Sequence, residues 1–180
     1  ITVEEVQVHS ATEGWVSVSS ETKTYDLLKL KAQQSSELLA DVMLEAGTYE
    51  QVRLDISKVV VVDDKGEHQA KLPSGELKIV GDLTVSEEAT ATATFDFIAD
   101  ESLHVTGNGE YILAPVVKLE TKEDATVEVK ADEKVKITGG KVKTNIKVGM
   151  DAEGKVGVGL GIASNADVSI SAGKVKVNVG

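Results

Sequence analysis

Three histidines, His9, His68 and His104, and several acidic clusters are the side chains here with the means to do chemistry. The histidines lie far apart in the chain. Their spacing forms no metal-binding motif, and each reads as a surface or hydrogen-bonded structural residue. Carboxylates gather at Asp63, Asp64 and Glu67, at Asp96, Asp100 and Glu101, and at Asp151 and Glu153. Turns rich in acidic oxygens suit calcium, a hard cation that tolerates loose oxygen geometry. Asp63, Asp64, Asp151 and Glu153 are therefore the calcium candidates, although neither turn has EF-hand spacing and a solvated turn is the simpler reading. No other cofactor is expected. No G-x-S-x-G elbow is present, and without cysteine there is neither a Cys-His pair nor a thiolate metal site. Gly157, Gly159 and Gly161 in "GVGLG" imitate a dinucleotide fingerprint, but they alternate at a spacing of two and no helix follows. The sequence reads as a non-enzyme.

The elements around these residues are strands. Val, Thr and Ile dominate the alternating segments, as suits pleated, half-buried surfaces. Aromatics make up 3% of the 180 residues, and Trp15 is the sole tryptophan. Trp15 is expected to plug the core, and a carbohydrate platform formed with Tyr25 is the alternative. Strands are read at Ile1–His9, from Trp15, over Lys23–Lys31, over Tyr49–Val62 and through "ATATATFDF". At most one helical turn is expected, near Ser35 to Leu39. Turns are placed at "DDKG", at "PSG" and, as a primed hairpin, at Asn108–Gly109. Beyond Thr121 the chain reads as a meander turning at "ADEK", "TGG", "DAEG" and "SNAD". The fold class is therefore all-β: an antiparallel sandwich, Ig-like or prealbumin-like, over residues 1–120, with a β-rich extension over 121–180.

The net charge of −11 opposes nucleic-acid binding, which calls for a basic face. The charge is unevenly spread: residues 1–120 carry 9 basic and 22 acidic residues, whereas 121–180 carry 10 and 8. An acidic body and a lysine-striped tail suit head-to-tail contact between copies. No apolar run approaches the roughly 20 residues of a membrane helix. No signal peptide is visible, so the chain reads as either cytosolic or mature, and its start directly on a strand favours the mature reading.

Val6, His9, Gly14, Trp15, Tyr25, Asp26, Leu27, Leu28, Leu38, Leu39, Ala46, Gly47, Thr48, Tyr49, Arg53 and Leu54 carry a family pattern. It continues through Leu72, Pro73, Ser74, Gly75, Phe95, Asp96, Gly107, Asn108, Gly109 and Pro115. From about Thr2 to Leu119 the chain resembles an uncharacterised secreted domain of archaea and bacteria, known as domain-of-unknown-function family 4382. The resemblance implies an extracellular β-sandwich, often in lipoproteins or cell-surface proteins, and implies no activity. Members usually begin with an additional strand ahead of the segment matching Thr2–His9.

A sandwich short of one strand exposes unpaired edges, which an extended segment can complete. The alternating ends of the chain are the expected strand-exchange interface: Val168, Ile170, Val175, Val177 and Val179 at one end, Ile1 and Val3 at the other. The expected function is a structural subunit of an extracellular filament or surface fibre. It would form a homopolymer joined head to tail by strand donation. The alternative is a monomeric cell-surface adhesion module for polysaccharide or another surface protein.

Overall fold

A computed structural model describes residues 1–162 together with the backbone of the strands at 167–171 and 174–178. Val179 and Ser164, Asn165 and Ala166 of the "SNAD" turn lie outside the described residues. In chain order the first elements are β1 (Thr2–Ser10), β2 (Gly14–Ser19), β3 (Lys23–Thr24), α1 (Leu27–Ala32) and β4 (Ser36–Glu37). Then come β5 (Gly47–Asp63), β6 (Gly66–Ala70), β7 (Glu76–Val85), β8 (Thr92–Phe97) and α2 (Ala99–Ser102). The last are β9 (Leu103–Val105), β10 (Tyr111–Leu113), β11 (Val116–Val129), β12 (Lys134–Met150), β13 (Val156–Gly157), β14 (Asp167–Ser171) and β15 (Lys174–Asn178).

Two antiparallel sheets face each other across an apolar core. In the first, β1 pairs with β2 and β3 on one side and β5 on the other, while β6 and β7 pair with successive halves of β5. The second has the order β13-β12-β11-β8, with β4 added to β12. Strict alternation drives this layering. Val52, Leu54 and Ile56 of β5 and Leu77 and Ile79 of β7 point inward and are buried, as are Val117, Leu119 and Met150 opposite them. The fold is the all-β, antiparallel, sandwich-like arrangement that alternation predicts. The boundary drawn at residue 120 falls inside β11, so residues 116–150 supply the two central strands of the second sheet.

Four local expectations change. The strand read over Lys23–Lys31 is only β3, followed by α1, whose N-cap Asp26 accepts a hydrogen bond from the Lys29 amide at 3.0 Å. That cap, followed by leucine and lysine, favours a helix, and it outweighs the short alternation. The helical turn expected near Ser35–Leu39 is instead β4 and irregular chain. "TGG" does not turn: β12 runs on through Gly139 and Gly140, whose φ angles of 67° and 83° kink it. The Asn108–Gly109 hairpin forms between β9 and β10, but Gly109 alone takes a positive φ, and its amide bonds to the Thr106 carbonyl. The turn closed by that bond has Gly107 and Asn108 at its centre, neither with a positive φ, so it is not of the primed type, which requires one at the first central residue.

β14 and β15 bond only to each other among the described residues. β15 lies alongside β5, and β14 alongside β9 and α2, with no shared ladder.

Candidate functional site

β8 is an edge strand. Its six residues pair with Lys122–Val117 of β11, and among the described residues nothing pairs with its other side. That side opens into a groove of about 1050 Å³ lined by every residue of β8. Ile1, Val3 and Leu54 of the first sheet form the floor, Leu27, Leu30, Leu38 and Leu39 one wall, and Val127, Val129, Val135 and Ile137 of the β11–β12 hairpin another. Ala93, Phe95 and Phe97, alternating along β8, pack against the core from the same strand. The groove thus combines unmade backbone bonds with apolar walls. An unpaired strand edge is a template for another strand, and apolar side chains at every second position set where its residues sit.

The wall opposite β8 is held by polar contacts. The Ile1 backbone nitrogen donates to the Tyr25 carbonyl at 2.9 Å, and the Tyr25 amide donates to the Ile1 carbonyl at 2.8 Å. Tyr25 donates its hydroxyl proton to the Leu38 carbonyl at 3.1 Å, and Lys23 Nζ donates to the same oxygen at 3.1 Å. Burial, reinforced by Glu37, Glu133 and Glu21, pushes the Tyr25 phenol up to about 12, so it stays a donor. At the rim Glu37, Asp41, Asp96, Asp100 and Glu101 stand against Lys31, Lys118 and Lys147. Lys147 reaches Glu101 at 2.9 Å and Lys31 reaches Asp100 at 3.7 Å.

The strand-exchange residues divide by location. Ile1 and Val3 line the groove, and β1 is paired on both sides within its own molecule, so its backbone has no edge to give. Val168 and Ile170 of β14 are the backbone ladder partners of Val177 and Val175 of β15.

The acidic turns use their oxygens internally. Asp63 accepts from the Tyr111 hydroxyl at 2.7 Å, the Lys65 amide at 2.8 Å and His68 Nε2 at 2.9 Å. The Tyr111 bond leads in holding its pKa down at about 2. Burial, and then Asp63, push Tyr111 up to about 12. Asp64 shares the turn without a bond to these groups. Asp151 Oδ1 accepts the amides of Glu153 at 3.0 Å and Lys155 at 2.9 Å, closing the β12–β13 turn. Among the described residues no three histidine, aspartate or glutamate side chains converge to hold a metal ion.

Trp15 is not a core plug. Strand alternation puts it on the outer face of the first sheet, across from His9, whose ring meets it edge-on at 5.0 Å. The Arg53 guanidinium lies 4.3 Å from the ring centroid, so one aromatic face is taken. Tyr25 is buried in the core, and the two rings make no common platform. His9 pairs with Glu50, whose pKa it lowers, and His104 is lowered by burial.

The sequence reading missed β8 as the open edge and the valines of β11 and β12 as groove walls. Their alternation in "TVEVKADEKVKI" was the available signal.

No curated protein and no solved structure matches this chain. A family model, Domain of unknown function (DUF4382), matches residues 1–115, which include β8 and the wall carrying Leu38 and Leu39 but stop short of β11 and β12. Covering well over half of the 180 residues, that match places the chain in this family: the protein belongs to the family described as Domain of unknown function (DUF4382).

Proposed function

We propose that this protein is a structural subunit of an extracellular filament or surface fibre, joined head to tail when one copy lays a strand of its β14–β15 hairpin against β8 of the next. The observation carrying this reading is the unpaired edge of β8 on an apolar groove, in a molecule that also has a hairpin outside both main sheets. Isolated two-stranded hairpins are marginal in water. Adding a strand to β8 gives the hairpin a ladder and covers the groove walls. Head-to-tail contact of this kind does not close on itself and extends into fibres. The acidic 1–120 region and the lysine-bearing tail favour contact in that orientation.

Negative-stain microscopy over a concentration series tests this. Uniform fibres are expected from the intact chain, and none from a chain lacking residues 173–180 or carrying Val177→Pro. A monomer at all concentrations, or normal fibres from both variants, would overturn the reading. The first outcome would return the molecule to a monomeric adhesion module.

A further inference from the structure

The outer half of the β11–β12 hairpin is a separate lobe. β8 stops at Thr92, opposite Lys122; beyond it β12 is the only ladder partner of β11 among the described residues, with one further backbone bond at the base, from the Ala125 amide to the Thr90 carbonyl at 2.8 Å. Immediately after this point the hairpin kinks. Glu123 pairs with Lys141 and Ala125 with Gly139, which leaves Asp124 and Gly140 facing each other. Their φ angles are 53° and 83°, and Gly139 adds 67°. Left-handed residues on both strands of this rung, with a third on the next, make a bend that ordinary residues resist. A Cβ on Gly140 would also lie 2.9 Å from that of Ala125.

Past the kink, regular pairing resumes from Ala125–Gly139 to Val129–Val135, and Val127, Val129, Val135 and Ile137 face the groove. The tip is tied down at one point. The Leu38 amide donates to the Glu133 carbonyl at 2.9 Å, Lys23 forms an ion pair with the Glu133 carboxylate, and β4 pairs with Lys134 and Val135. Glu133 itself holds a φ of 64°, a conformation that disfavours glutamate. Its amide donates to the Lys130 carbonyl at 2.9 Å, so the turn at the tip fixes that conformation and presents the Glu133 carbonyl and carboxylate at the tie point.

We propose that Ala125–Gly139 is a hinged cover over the β8 groove, swinging at Asp124, Gly139 and Gly140 and latched by Glu133 to Lys23 and Leu38. This inference rests on the strand-acceptor reading of the groove and names what regulates it. An arriving strand gains access when the latch releases. The cover's valines then repack against that strand.

The chain has no cysteine, so one engineered pair reports cleanly. Glu37 and Lys134 are ladder partners, and antiparallel partners lie about 4.5–5.5 Å apart at Cα, within disulfide range. In Glu37→Cys with Lys134→Cys, oxidation should slow uptake of a labelled synthetic peptide of residues 167–178 at least tenfold, and reduction should restore it. Glu133→Gly should speed uptake without lowering the melting temperature, because glycine suits the left-handed position. Uptake by the oxidised form at the unmodified rate would overturn the cover. If no form takes up peptide, the strand-acceptor reading fails, and hydrogen exchange judges the cover alone. Amides from Val127 to Val135 should exchange faster in Glu133→Gly and slower in the oxidised pair, and equal rates in all three forms would reject the hinge.

Discussion

The Asp82 amide donates to Thr144 Oγ1 at 2.8 Å, and that hydroxyl in turn donates to the Asp82 carbonyl at 3.1 Å. Asp82 lies in a bulge: between the pairs Tyr49–Leu83 and Gln51–Val80, β7 has two residues where β5 has one. A bulge leaves backbone groups outside the ladder. Here the facing sheet satisfies them, with Thr121 also donating to the Asp82 carbonyl. This joint lets β7 rest directly on β11 and β12. Gly81 makes the approach possible, since a Cβ there would lie 2.9 Å from Thr144 Cγ2 and 3.1 Å from Leu119 Cδ2.

Thr144→Val keeps the shape and removes both bonds. A net loss of about 0.5–1.5 kcal/mol per bond is typical, so a fall of about 1–3 kcal/mol in urea-unfolding stability is expected. Adding Thr121→Val should cost less than its single effect predicts or more, but not the simple sum, because both hydroxyls serve one carbonyl. Gly81→Ala should destabilise by about 1–3 kcal/mol through overpacking against the fully buried Leu119. An alanine variant as stable as the parent would mean that the sheets are not in close contact there.

Much of this architecture can be read from the chain, and the reason is periodicity. Val52–Ile56 and Val59–Val62 each alternate, with breaks only at Glu50–Gln51 and Ser57–Lys58, and the strand read over Tyr49–Val62 becomes β5 almost to the residue. "DDKG" and "DAEG" carry their own turn chemistry. Where the sequence misleads, a local hydrogen bond or a tertiary contact decides. Asp26 turns a short alternating run into α1 by capping it. The glycines of "TGG" kink a strand that the pairing with β11 keeps intact. Trp15 looks like a core residue by type, but its place in the alternation of β2, beside Val16 and Val18, puts it outside. The open edge of β8 could not be read in advance, because which strands pair is a property of the assembled sheets. Nothing in "TATFDF" distinguishes an edge from a centre.

Asp63 predicts an acid limb. Its pKa in the folded chain is about 2, against an ordinary 3.8. The carboxylate is therefore favoured by folding. Its contribution is complete above about pH 4 and is lost as pH falls through about 2. The urea midpoint of the parent should drop across that window, and Asp63→Asn should flatten the drop. Tyr111→Phe removes the leading cause of the shift and should narrow the window from below. Identical acid profiles for parent and both variants would show that the Tyr111–Asp63–His68 contacts have no effect on stability.

The β12–β13 turn separates a structural carboxylate from a calcium ligand. Asp151 already accepts two amides, and Gly154 at φ 84° packs so closely that a Cβ would sit 2.7 Å from Ser74 Cβ and 3.0 Å from the Pro73 carbonyl oxygen. Asp151→Ala should cost about 1–2 kcal/mol, as losses of comparable capping carboxylates do. Gly154→Ala should cost at least as much, since it meets both a backbone and a steric penalty. Millimolar calcium should leave the melting temperature of parent and variants unchanged. A rise seen with the parent and abolished by Asp151→Ala would restore the turn as a cation site.

Val129 offers a way to close the groove without unfolding the subunit. It is 43% exposed yet lines the groove from the covering lobe, so a carboxylate placed there stays hydrated while the groove is open. Once a strand occupies the groove, the same carboxylate is shut away from water among Val127, Val135 and Ile137, and an unpaired buried charge is costly. Val129→Glu should therefore leave the melting temperature within about 2 °C of the parent, as near-neutral surface changes do. It should also reduce uptake of the 167–178 peptide at least tenfold, and lengthen the lag before fibres form. Val142→Glu serves as the control, because Val142 is similarly exposed at 48% but lies outside the groove lining. Equal uptake by the two variants would show that the arriving strand does not pass beneath the lobe, and the β8 edge would then have to be filled from its open side.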